Sequence, residues 1–117
     1  MTESYNKFKP ITLKALRGNT EAYSFDLKNS DGSAYIISGT VTLTIKKNKN
    51  DTTALYTVAI TDSSNGNVWS QGRLVIVIPA GTTATLPDSS YFDVKQDVSG
   101  VITTLPAGRI SSYDTPD

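Results

Sequence analysis

The apolar residues of this chain recur at every second position rather than every third or fourth. In EAYSFDLKN, Tyr23, Phe25 and Leu27 alternate with Ser24, Asp26 and Lys28, which sends one set toward a core and the other toward water. TVTLTIKK repeats the pattern, with Val41, Leu43 and Ile45 set against Thr40, Thr42, Thr44 and Lys46, and its β-branched content suits a pleated surface. PITLKALR, AYIIS, ALYTVAI, RLVIVIP, YFDVKQDV, VITTL and GRISSY read as further strands, bounded by turn residues such as Asp31-Gly32, Asn65-Gly66 and Ser99-Gly100. The pattern predicts about seven to nine short strands, nine if every stretch is used, and an all-β antiparallel sandwich.

Two segments refine this picture. Ser99-Gly100 separates two alternating runs closely enough for a tight hairpin, with Gly100 supplying a positive φ. PAGTTATLPDSS has no alternation, and Pro79 and Pro87 would each remove a ladder hydrogen bond, so it is expected to cross between sheets with room for one helical turn.

RLVIVIP poses a question of its own, because its apolar run leaves no polar face for water. Leu74, Ile76 and Ile78 are expected on the core side, with Val75 and Val77 opposite. Either neighbouring strands and the loop around Trp69 cover those two valines, or they are simply exposed, or the face docks on another protein copy. Trp69, the sole tryptophan, lies in the polar stretch NGNVWSQG. There it would pack over a sheet edge, anchor an interface or stack on a sugar ring. Trp69, Val75 and Val77 are therefore the expected contact residues, with Tyr56, Tyr91 and Tyr113 as further candidates.

Composition narrows the chemistry. The 117 residues suffice for one domain spanning 1–117, with polar arms expected at about 1–9 and 112–117. Eleven basic residues balance eleven acidic ones, and outside Lys46, Lys47 and Lys49 the bases are scattered along the sequence. Nucleic acid and membrane surfaces are therefore not expected partners. KKNKN reads as a charged loop kept for solubility, or as a contact for a phosphate or acidic partner. The start MTESYNKFKP lacks the apolar run of a secretory leader, and no stretch reaches membrane-spanning length.

With neither histidine nor cysteine in the chain, the commonest nucleophile and base pairs and nitrogen or sulfur metal sites have no residues to form from. The two glutamates, Glu3 and Glu21, belong to no recognisable carboxylate pair, and no enzyme, metal or cofactor is expected. Asp26, Asp31, Asp62, Asn65 and Asn67 gather oxygen ligands that would suit weak calcium binding. Their Asp, Asn, Ser and Gly surroundings equally suit turns, and neither stretch has the spacing of a calcium loop.

The order of motifs resembles the immunoglobulin-like domain that begins phage baseplate upper proteins and related small domains of phage tails and fibres. The resemblance covers roughly residues 18 to 112. It rests on Gly18 and Thr20, the Asp31-Gly32 turn, Gly39 with Val41, Leu43, Ile45 and Lys46, Leu86-Pro87 before Phe92, Asp93 and Val94, the Gly100 turn, and Gly108, Arg109 and Ile110. Family members often carry a glycine between Leu-Pro and the aromatic strand, where this chain has Asp88, Ser89 and Ser90.

The resemblance implies an immunoglobulin-like sandwich and a non-enzymatic virion protein of the baseplate, tail or capsid. Such a protein would be assembled in the host cytoplasm and bind other virion proteins, with a homo-oligomer among the expected states. The alternatives are a carbohydrate-binding or host-adhesion module, and an immunoglobulin-like repeat from a bacterial surface protein.

Overall fold

The computed structural model describes residues 10–114. Its strands are β1 (Ile11–Leu16), β2 (Glu21–Asp26), β3 (Thr40–Lys46), β4 (Tyr56–Ile60), β5 (Arg73–Ile78), β6 (Ser89–Val98) and β7 (Val101–Tyr113). A single helical turn, α1 (Ala80–Thr83), bridges β5 and β6 within the stretch expected to cross between sheets. β7 takes Ser112 and Tyr113 out of the expected carboxyl-terminal arm, and the expected arm at 1–9 lies outside the described residues.

The larger sheet runs β1-β7-β6-β3-β4, and β2 and β5 form the smaller one. Grouping β2 with β5 against β3, β6 and β7, with β4 added beside β3, is the strand division of an immunoglobulin-like sandwich with a variable-type extension. Every pairing is antiparallel except β1 with β7, so the large sheet is mixed rather than purely antiparallel.

Alternation sends the expected residues inward. Phe25, Leu74, Ile76 and Ile78 from the small sheet meet Val41, Leu43, Ile45, Phe92, Val94 and Ile110 from the large one in one buried cluster. Opposite them on the small sheet, Ala22 pairs with Val77, Ser24 with Val75 and Asp26 with Arg73, so Val75 and Val77 occupy the outer face as the period predicts.

Two expected strands behave differently. AYIIS stays outside the ladders. The Tyr35 N–H donates to Leu27 O at 2.9 Å and the Ile37 N–H to Trp69 O at 3.2 Å, while Gln96 steadies the segment by donating to the Tyr35 hydroxyl at 2.6 Å and accepting from the Ser38 N–H at 3.1 Å. VITTL and GRISSY fuse into β7, because Pro106 falls where the register with β6 shifts between Asp93 and Lys95. A bulge is where a strand tolerates a residue without an N–H.

At the β6–β7 turn, Val98 pairs with Val101 across Ser99 and Gly100, whose φ values are 52° and 89°. Two successive positive φ angles match the twist of the ribbon, and Asp97 Oδ1 accepts the Gly100 N–H at 2.9 Å. Serine tolerates this conformation less well than asparagine. Ser99→Asn is therefore expected to stabilise the domain by about 0.5 kcal/mol, read as a higher urea midpoint with an unchanged slope.

Inside the core, the hydroxyls of Ser90 and Ser112 are buried without a hydrogen-bond partner among the described residues. Ser90→Ala is expected to be neutral or to raise stability by up to about 1 kcal/mol in the same assay, since it removes a desolvated group that gains nothing in return.

Candidate binding surfaces

The loop between β4 and β5 closes over the outer face of β5. Asn67, 2% exposed, is its keystone. The side-chain Oδ1 accepts the Val75 N–H at 2.9 Å and the Trp69 indole N–H at 3.2 Å, while Nδ2 donates to Val75 O at 3.0 Å and Ser64 O at 2.8 Å. Asn67 thus satisfies both backbone groups of Val75, as a neighbouring strand would. Asn65 and Gly66 turn the loop with φ of 52° and 90°, and a methyl placed on Gly66 would sit 3.8 Å from Val75 Cγ2.

This loop sets the surroundings of the three expected contact residues. Trp69 is 8% exposed within the core cluster, and Val75 is 9% exposed beneath the loop. Both have their apolar surface covered by their own chain. Val77 is half-buried and leaves part of its side chain open on the outer face. Val77→Asp is expected to keep the fold at a cost of under about 1 kcal/mol, checked by circular dichroism and urea unfolding.

The oxygen-rich residues serve local structure. Asp31 Oδ1 accepts from the Ser33 N–H and hydroxyl, and the hydroxyl bond, followed by the backbone bond, holds this carboxyl below its ordinary range. Asp62 Oδ1 accepts the Trp69 N–H at 3.1 Å and its neighbour's N–H at 2.9 Å, and Asp26 faces Arg73 at 3.8 Å. Among the described residues, no group of three or more acidic side chains is placed to hold a metal.

Two other surfaces stand out. The first is apolar and lies at one end of the sandwich. Val98, Val101 and Ile102 on the β6–β7 hairpin are 37, 68 and 62% exposed, and Ile36 in the loop before β3 is 66% exposed. The two segments touch where Gly39 packs against Asp97 O and Val98 Cγ2, an approach closer than any Cβ would allow. Large aliphatic side chains exposed this far, beside a fully closed core, are costly to keep in water unless something covers them.

The second surface is a basic groove of about 880 Å³ on the outer face of the large sheet. Lys46 of β3 and Arg109 of β7 both pair with Tyr91 of β6, and Lys95 lies farther along β6 on the same face. The loop after β3 adds Lys47 and Lys49, and Lys49 Nζ stands 5.9 Å from the centre of the Tyr91 ring. Asp93, 9% exposed, lines the groove between them. Partial burial, then the charge of Asp93, pushes the Tyr91 phenol above its usual pKa.

Bases that look scattered in sequence are thus gathered in space. The sequence reading singled out Lys46, Lys47 and Lys49 but missed Lys95 and Arg109, because strand register brings those two across. No family model matches the chain, and no curated protein gives a significant match.

Proposed function

We propose that this domain is a non-enzymatic assembly module of a phage particle, an immunoglobulin-like sandwich in the baseplate, tail or capsid that holds virion proteins together by surface complementarity. The observation that supports this reading best is the exposed apolar end formed by Ile36, Val98, Val101 and Ile102. A tight hairpin and a pinned loop carry these residues, so little conformational entropy is lost when they are covered. The phage context rests on the resemblance of motif order. The contact expected at Trp69, Val75 and Val77 shifts to this end, with Val77 the member of that set that retains outward surface.

Mass spectrometry of purified particles from the source lysate tests the reading. The chain is expected at a fixed copy number relative to the other structural proteins, and its absence from intact particles would overturn the proposal.

The alternative of carbohydrate binding rests on Tyr91 in the basic groove rather than on Trp69, whose indole is buried. Glycan-array binding lost on Tyr91→Ala, with folding retained, would favour that class.

A further inference from the structure

We propose that the basic groove on the outer face of the large sheet binds an acidic polysaccharide, a sugar chain that carries anionic groups at intervals. The inference rests on the carbohydrate alternative for the placing of a sugar at Tyr91 and names the ligand class, and it is independent of the assembly reading.

Five cations meet in the groove without an ion-pair partner among the described residues. Lys46, Lys47, Lys49, Lys95 and Arg109 line it, whereas the ion pairs lie elsewhere, on Arg17 and Arg73. Arg109 Nη1 donates to the neutral Ser89 hydroxyl at 2.7 Å, and Asp51 turns to its own loop, where Oδ2 accepts the Asn48 N–H at 3.0 Å. The Asp51 N–H donates back to Asn48 O at 3.1 Å, which steadies the loop that carries Lys47 and Lys49 before a ligand arrives. Past Lys95, Asp97 and Ile102 stand opposite each other and end the basic stretch.

Register sets the spacing of these charges. Lys46, Tyr91 and Arg109 share one rung across β3, β6 and β7, so the outer two stand about 10 Å apart, and Lys95 lies ~13 Å from Tyr91 along β6. Between the positive positions lies Asp93, 9% exposed, a carboxylate that accepts hydrogen bonds and donates none. A fitting ligand therefore places acid groups at two points and O–H donors between them. A sugar chain with an acid on some rings and hydroxyls on all of them does both. Tyr91 offers a ring face to stack on, the one over which Lys49 Nζ stands at 5.9 Å.

Other polyanions match this surface less well. A peptide strand binds a sheet by pairing with an edge, but β7, β6 and β3 are interior strands, so a peptide crossing this face has no ladder to join. Nucleic acid would set a dense row of phosphates against Asp93 and would find in Tyr91 the single aromatic ring among the described lining residues.

The test is calorimetric titration of the full 117-residue chain with fragments of alginate and of dextran sulfate, which carry the acid as carboxylate and as sulfate. Neutral dextran, polyglutamate and single-stranded oligothymidylate are the comparisons. At least one acidic glycan is expected to bind about tenfold or more tightly than all three at low salt, and to weaken at high salt. Lys49→Glu and Lys28→Glu change net charge equally, but only Lys49 lines the groove. Binding should weaken about fivefold in the first and hold in the second. Asp93→Asn separates recognition from plain attraction. Losing the carboxylate that accepts sugar hydroxyls should weaken binding about tenfold, whereas a polyanion drawn by charge alone would bind the variant more tightly.

Circular dichroism and urea midpoints establish that the variants fold, and if Asp93→Asn does not, the lysine pair decides. No binding of either acidic glycan, equal binding of polyglutamate or oligothymidylate, an equal loss in Lys28→Glu, or tighter binding by Asp93→Asn overturns the inference. Neutral dextran bound as tightly as the acidic glycans, with loss on Tyr91→Ala, leaves the carbohydrate alternative standing and defeats this inference alone.

Discussion

Gly108→Ala is expected to lower stability by about 3 to 5 kcal/mol and to loosen β1 from the large sheet, because the new methyl has no room. A Cβ at Gly108 would fall 1.8 Å from Ile11 O and 2.6 Å from Ile11 N, both backbone atoms of the neighbouring strand. Backbone cannot rotate aside as a flexible side chain would, so either β1 retreats or β7 bends. Ile11 is the first partner in the parallel ladder, and the register places Leu13 opposite Ile110 and Ala15 opposite Ser112. Retreat would therefore expose Leu13 and Ala15, which the wild type buries. Urea unfolding reads the loss of stability, and amide hydrogen exchange reads its location, with faster exchange at Leu13 and Ala15 than at Leu43 on β3. An unchanged midpoint with unchanged protection of β1 would show that the sheet absorbs the methyl and that the close approach is not needed.

That parallel strand marks a boundary of what local patterning reveals. Period-two alternation identifies β1 and assigns the inward residues of β3 and β5, because side-chain alternation is a property of each strand alone. The direction in which β1 joins the sheet depends on a partner almost a hundred residues away in sequence. VITTL and GRISSY read as two strands for a related reason, with Pro106 between them. Read locally it ends a strand, but the β6 register shift beside it lets β7 continue. AYIIS has the composition of a strand, but apart from an isolated bridge between Ala34 and Lys28 its backbone donates to the loop residues Leu27 and Trp69 instead of to a ladder.

The groove was legible only in part. Lys46, Lys47 and Lys49 are a visible run, whereas Lys95 and Arg109 become their neighbours through pairings on both sides of β6. Alternation along YFDVKQDV does place Tyr91, Asp93 and Lys95 on one face, which is the available signal. Joining that face to Lys46 requires the β3–β6 register, which sequence does not reveal. The apolar end was missed because Val98, Val101 and Ile102 read as ordinary strand residues. Register places Val98 and Val101 on one face of the hairpin and Ile102 on the other beside Asp97, and the exposure of all three is a property of the assembled sheets.

The second large effect concerns the loop that answers the question raised by RLVIVIP. Asn67→Ala is expected to cost about 4 kcal/mol, because one truncation strands several buried groups at roughly 1 to 3 kcal/mol each. The Val75 N–H and C=O lose their partners, and so does the Trp69 indole N–H. Water can rescue them only if the loop opens, and opening uncovers Val75 and Trp69 together. Trp69, as the sole tryptophan, makes the result directly observable. Its fluorescence should shift to longer wavelength in native buffer, and the urea midpoint should fall. Asn67→Asp should also destabilise, since it removes both Nδ2 donations and places a charge where the wild-type side chain is 2% exposed. If Asn67→Ala kept the wild-type emission and midpoint, the cover over β5 would have to come from packing of the loop backbone rather than from this amide. Val75 would then stay covered without help from the Asn67 side chain.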